Sequence, residues 1–205
     1  MRIITHTDFV FEENTYIVID GNLGFVVDPG LNFSNIIKEY ENIDFKFAIL
    51  THAHIDHVDG IKCFNKPIYI LEEEYESLFN PDITLYSMMD LEIPYLDKKK
   101  NVIKINDGDS LSFGGYEIKV IKTPGHTKGS ACYLFNHNVL FTGDTLFKGS
   151  VGRCDLPTGN EIELNKSLAY LVNKLSNKVT IYPGHGKNST IGEEKKSNPF
   201  LLKWF

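Results

Sequence analysis

The chain has 205 residues, 42% of them hydrophobic, which is enough to bury a substantial core as one large domain. A formal net charge of −6 and a pI near 5.6 exclude a general electrostatic attraction to nucleic acid or to an anionic membrane, so any anion binding must be local. The stretch Met1 to Val10 carries His6 and Asp8 and lacks a signal core, no run approaches the ~20 apolar residues of a spanning helix, and three scattered cysteines, Cys63, Cys132 and Cys154, make no disulfide framework; together these predict a reducing cytoplasm.

In chain order, the N-terminal part reads as an antiparallel meander: Ile3 to Phe11, Thr15 to Asp20, and Gly24 to Asp28 after an Asp20-Gly21-Asn22 turn signal. The third strand delivers Asp28 into an Asp-Pro-Gly turn. Ser34 is expected to cap a helix through Glu41, with Ile36, Ile37 and Tyr40 on one face. Phe45 to Leu50 is the next strand, and it runs into Thr51-His52-Ala53-His54-Ile55-Asp56-His57-Val58-Asp59-Gly60. In an extended segment residues i and i+2 share a face, so His52 and His54 can present two nitrogens to one ion. A helix starting at Asp56 would turn Asp56 and His57 toward a different point, so one loop could feed two metals. Neutral imidazole with carboxylate suits zinc and also iron or manganese.

Further on, Val58 to Phe64 reads as helix, Pro67 to Leu71 as a short buried strand, and Glu72 to Phe79 as a helix with an acidic first turn. The aperiodic stretch from Asn80 to Lys100 is expected to be a loop or short-helix excursion that could flank a pocket. Strands return at Val102 to Ile105, Leu111 to Phe113, Tyr116 to Lys122, Ala131 to Phe135 and Val139 to Phe141. A helix follows from Glu161 to Leu175, apolar at Ile162, Leu164, Leu168, Leu171 and Leu175, and the last strand is Val179 to Tyr182. Three strand ends repeat the design of the metal loop: Thr123-Pro124-Gly125-His126, Phe141-Thr142-Gly143-Asp144 and Tyr182-Pro183-Gly184-His185. Five of the seven histidines thus lie at strand ends or in the loop after one; His6 and His137 do not, and are read as surface or core residues.

The set His52-Ala-His54-Ile-Asp56-His57 with His126, Asp144 and His185 in this order resembles the metallo-β-lactamase superfamily over nearly the whole chain. The resemblance implies an α/β fold, the αββα sandwich, in which two mixed β-sheets packed face to face are flanked by helices and the metal site lies at one edge. It implies a single domain over residues 1–205. It also assigns His52, His54 and His126 to a first metal, Asp56, His57 and His185 to a second, and Asp144 as the bridge, with Asp56 counted as catalytic too. Asp28 is expected to support the metal loop from behind the ligands, where such partners orient histidines and raise their basicity. Two divalent ions follow as cofactors, zinc first, with iron or manganese open.

The segment from Leu146 to Pro157, with Thr190-Ile191-Gly192-Glu193 and Asn198-Pro199-Phe200-Leu201, resembles the glyoxalase II-like hydrolases of hydroxyacyl-glutathione thioesters in their short bacterial form. The C-terminal helical region that supplies part of the glutathione contacts in full-length members is expected to be absent, as in the short bacterial form. The expected chemistry is attack by a metal-bound hydroxide on a thioester, whose thiolate leaves without a strong general acid. Arg153 and Lys148 are the expected local positive charge for a carboxylate-bearing thiol. A mononuclear iron persulfide dioxygenase, a lactonase or β-lactamase, and a nucleic-acid hydrolase of the same superfamily are the alternatives. Acidity disfavours the last. The expected partner is a small-molecule thioester, with no nucleic acid and no membrane, and the oligomeric state is open.

Overall fold

The computed structural model describes residues 1–202; the expected domain end at Phe205 lies outside the described residues. The chain falls into two compact units, one spanning Met1–Ile105 and the other starting at Asn106. No helix among the described residues is long and apolar enough to cross a membrane.

The first unit is built on a six-stranded mixed sheet. β1 (Arg2–Thr7), β2 (Asn14–Asp20) and β3 (Leu23–Val27) form the expected antiparallel meander, with α1 (Phe33–Ile36) leading to β4 (Asp44–Ile49). α2 (Ile55–Val58) leads to β5 (Ile68–Leu71), and α3 (Glu72–Tyr75) precedes β6 (Val102–Ile105). The strands lie in sequence order, β1 to β6, with β3 to β6 parallel. β2 is buried at all but its last residue, with Tyr16 to Ile19 as its apolar run, while the edge strand β1 has no buried residue. Register places Val27 opposite Ile49, and the amide of Asp28 donates to the Ile49 carbonyl at 3.0 Å. The turn after β3 and the metal loop after β4 therefore open at the same, carboxyl end of the sheet.

The helices of this unit are shorter than expected. α1 starts at Phe33 with Asn32, not Ser34, in the capping position, and becomes a 3-10 turn over Ile37–Tyr40. The buried Phe33 and Ile36 anchor one turn only, and the half-buried or exposed Ile37 to Tyr40 supply too little apolar contact to extend it. α2 likewise gives way to a 3-10 turn at Asp59–Cys63, and α3 to one at Ser77–Phe79.

The second unit holds another six-stranded sheet. β7 (Ser110–Phe113), β8 (Tyr116–Lys122), β9 (Ala131–Phe135) and β10 (Val139–Gly143) are antiparallel neighbours. A small hairpin of β11 (Leu146–Phe147) and β12 (Ser150–Val151) precedes α4 (Glu161–Lys174). Then come β13 (Thr180–Pro183), parallel to β10, β14 (Ser189–Thr190) and α5 (Ile191–Ser197). α4 and α5 pack Leu164, Leu168, Leu171 and Ile191 onto Ile121, Leu140 and Ile181 of the sheet. Asn160 caps α4 by accepting from the Glu163 amide at 3.1 Å. Ile162, expected on the buried face, is 68% exposed because that face begins at Leu164. β11, β12, β14 and α5 have no counterpart among the expected elements; the three strands are two residues each and show no periodicity.

Candidate metal centre

Each unit gathers ligand-type side chains at one end of its sheet: His52, His54, Asp56 and His57 in the first, His126, Asp144 and His185 in the second. In the first unit His54 is still extended when Ile55 begins α2, so the i, i+2 pair precedes the turn as the spacing predicts. His52 Nε2 lies 3.1 Å from His54 Nδ1, and Asp56 Oδ2 lies 3.6 Å from His57 Nε2. Two ligands about 2.1 Å from one tetrahedral ion stand roughly 3.4 Å apart, so both spacings suit co-ligands.

Asp28 organises this loop. Its Oδ1 accepts from the Thr51 amide at 2.7 Å, and its Oδ2 accepts from the Thr51 hydroxyl at 2.7 Å and from His57 Nδ1 at 3.0 Å. A carboxylate can only accept, so the His57 proton sits on Nδ1 and the Nε2 lone pair faces Asp56. Asp28 adopts φ 48°, a left-handed conformation that aspartate tolerates at a cost of about 1 kcal/mol. Its buried hydrogen bonds hold it there.

The second unit uses strand direction. β8 and β10 run the same way through antiparallel β9, and β10 is parallel to β13 with Gly143 opposite Pro183. The segments after β8, β10 and β13 therefore emerge at one end, carrying His126, Asp144 and His185. The Gly184 amide donates to the Gly143 carbonyl at 2.9 Å, and Gly143 has φ 46°, which lets β10 turn sharply before Asp144. Asp144 Oδ2 lies 3.5 Å from His126 Nε2 and 3.5 Å from His185 Nε2. His126 Nδ1 donates to the Arg153 carbonyl at 2.7 Å, which puts the ring's lone pair on Nε2, the nitrogen that faces Asp144.

Several supporting residues gave no local signal. Glu13 is buried at the end of the β1–β2 loop; its Oε2 accepts from the Thr15 hydroxyl at 3.3 Å, while Oε1 has no hydrogen-bond partner. Burial pushes its carboxyl well above the usual range; His57 opposes this and Asp28, Asp56 and Asp8 reinforce it. Glu74, read from sequence as part of an acidic first turn, is buried and accepts from the Ala53 amide at 3.1 Å, inside the metal loop. Tyr86 of the excursion donates to Asp59 at 2.8 Å, and the Thr84 carbonyl accepts from the Ile55 amide at 2.9 Å, so this segment braces α2. Arg153 places Nε and a terminal nitrogen each 2.7 Å from the two oxygens of Asp155, whose carboxyl is held down to about 2 by that guanidinium. Lys148 is exposed in the turn between β11 and β12. His6 pairs with the Tyr40 hydroxyl at 2.8 Å, and His137 is exposed.

The model of the metallo-β-lactamase superfamily matches residues 9–185. The chain belongs to that superfamily. Among its relatives, a hydroxyacylglutathione hydrolase of Haemophilus influenzae is 31% identical, with 93% of each chain covered. Among solved structures, the BLEG-1 B3 metallo-β-lactamase matches with a TM-score of 0.81 at 27% identity, covering 98% of this chain and 99% of that one. TTHA1623 in a di-iron-bound form matches with a TM-score of 0.78 at 29% identity, covering 97% and 100%. The fold is the α/β metallo-β-lactamase fold, with two mixed sheets flanked by helices, and the protein is a metallo-hydrolase of the superfamily whose histidine and aspartate groups suit metal ions.

Proposed function

We propose that this metallo-hydrolase cleaves thioesters of the hydroxyacyl-glutathione type with two divalent ions, one held by His52, His54 and His126, the other by Asp56, His57 and His185, with Asp144 between them. The observation that carries the two-ion reading is the placement of one oxygen, Asp144 Oδ2, 3.5 Å from both His126 Nε2 and His185 Nε2. A single carboxylate oxygen equidistant from two imidazole nitrogens, at the spacing of co-ligands, suits a bridge. The donor set fits zinc, iron or manganese. When bound, two such ions acidify a water and polarise the carbonyl under attack.

The chain's own residues set the conditions for that chemistry. Asp28 and the Arg153 carbonyl hold the Nδ1 protons of His57 and His126, so both rings present Nε2. A thioester suits a site whose histidines are all ligands, because the departing thiolate, with a conjugate pKa near ~8.5, needs no protonation. Likeness to a hydroxyacylglutathione hydrolase over 93% of the chain supports this substrate class, and Arg153 and Lys148 are the side chains proposed to meet the carboxylate of the thiol. The whole of residues 1–205 is proposed to act as one catalytic domain.

Elemental analysis of protein made without added metal, paired with a hydroxyacyl-glutathione assay, tests this. Two ions per chain with thioester hydrolysis are expected, and Asp144→Asn should lose one ion and most activity. One ion at saturation with full activity overturns the two-ion reading. Oxygen uptake on glutathione persulfide with no thioester cleavage moves the protein to the dioxygenase reading.

A further inference from the structure

The two C-terminal stretches that resemble the glyoxalase II-like hydrolases frame α5: Thr190 caps it by accepting from the Glu193 amide at 3.1 Å, and Asn198 closes it. Between them stands Glu194, and Glu194 and Asn198 are both buried, at 1% and 0% exposure. Burying a carboxylate is costly unless donors meet it, and here donors come from three places. Glu194 Oε2 accepts from the Gly149 amide at 2.8 Å and from Asn198 Nδ2 at 2.8 Å, while the Ser189 hydroxyl donates to Oε1. Asn198 Nδ2 also donates to the Ser150 carbonyl at 3.0 Å. Gly149 lies in the turn of the β11–β12 hairpin and Ser150 opens β12, so α5 grips this hairpin at its tip.

The hairpin and the two residues after it touch every ligand-type residue of the second unit. Phe147 of β11 meets the His185 ring edge to face, with centroids 5.9 Å apart. Gly152, directly after β12, lies so close to Asp144 that a Cβ there would stand 1.8 Å from the Asp144 carbonyl oxygen. The Arg153 carbonyl accepts from His126 Nδ1 at 2.7 Å. A neutral imidazole carries its proton on either nitrogen, and the acceptor beside one of them decides which nitrogen keeps the lone pair. The buried polar pair of α5 therefore reaches both imidazoles through one short piece of chain. We propose that Glu194 and Asn198 are positioning residues: by holding the β11–β12 hairpin they keep the Arg153 carbonyl on His126 and Phe147 on His185, and so set how tightly these two histidines bind metal. This rests on the reading of His126 and His185 as ligands, one to each ion.

Two readouts test it, with circular dichroism as a check on folding: the His126 tautomer in chelator-treated protein at pH 8, from long-range proton–nitrogen correlation spectra, and the affinity for zinc in titrations. Wild type should show the His126 proton on Nδ1 alone. Glu194→Met keeps the length of the side chain and removes its acceptors; His126 should then give a mixture of tautomers, and zinc should bind about tenfold or more weakly at both sites. Glu194→Gln retains an acceptor and should restore the wild-type tautomer and affinity. Val172→Ala thins the core under α4 without removing a polar contact, so it should lower Tm and leave both readouts as they are. Asn198→Ala carries the same test if Glu194→Met fails to fold. In a wild type that binds zinc, either readout unchanged in Glu194→Met overturns the proposal, as do equal losses in Val172→Ala. Wild-type His126 with its proton on Nε2 overturns it too. A wild type that binds no zinc, with a tautomer that still shifts in Glu194→Met, upholds the hold of α5 on His126 and overturns the metal reading, so the two fail separately.

Discussion

Glu13 shows how the first unit manages buried charge at single residues. Its carboxyl is raised by burial, so the folded chain binds this proton more tightly than the unfolded chain does, and folding loses stability as pH rises above the ordinary carboxylate range through the raised value. Glu13→Gln keeps the shape and removes the titration. In chelator-treated protein it should raise Tm at pH 8 and leave it nearly unchanged near pH 4; equal gains at both pH values would assign the effect to packing. Arg153 is occupied in the free protein by a two-point contact with Asp155. If the guanidinium grips substrate, Arg153→Ala should raise KM for a glutathione thioester severalfold at nearly constant kcat, and Asp155→Asn, which frees the fork, should lower KM. Equal losses on charged and uncharged thioesters would return Arg153 to holding its loop. The cysteines lie outside the proposed chemistry: burial pushes the Cys132 thiol up to about 11, and burial with nearby Glu161 and Asp155 raises that of Cys154. Alkylation near neutral pH should leave activity intact, and inactivation abolished by Cys154→Ser would show otherwise.

Among the elements, two glycines let the turn after β3 press against α2 and the 3-10 turn that follows it. A Cβ on Gly60 would stand 2.4 Å from the Phe33 Cβ and 2.7 Å from the carbonyl oxygens of Pro29 and Gly30, and one on Gly30 would stand 2.3 Å from the Asp56 carbonyl oxygen. The Gly60 amide donates to the Pro29 carbonyl at 2.8 Å, so this close approach is a bonded one. Gly60→Ala must push these turns apart, which should cost about 1–3 kcal/mol by overpacking and shift His57 away from Asp28. Denaturant titration and metal content read the two effects; a variant with wild-type stability and two ions would show that the turns yield freely.

For the whole molecule, the proposed ions would draw ligands from stretches of chain as far apart as His52 and His185, so metal occupancy is expected to be coupled to folding. Saturation at a hundred times Kd adds about 2.7 kcal/mol, which for a chain of this size moves Tm by roughly 5–10 °C. Chelation should lower Tm by that order and abolish hydrolysis, and returning zinc, iron or manganese should restore both. An unchanged Tm on complete metal removal would separate occupancy from stability.

The sequence by itself determined the strands, their turns and the ligand types, because alternation, glycine-proline punctuation and the spacing His52, His54, Asp56, His57 are local properties of the chain. The expectation that Asp28 supports the metal loop comes from the resemblance and not from the turn chemistry, and Asp28 does bond Thr51 and His57. Helix lengths escaped the sequence: one buried turn in α1 and one in α2 leave no periodic stripe that separates four helical residues from eight. Tertiary structure alone decided what the remaining charges do. Glu74 and Glu13 look like surface acids in sequence and become buried supports because the sheet register carries α3 and the β1–β2 loop to the metal loop. Burial and register are non-local, and they fix which partner a polar side chain meets.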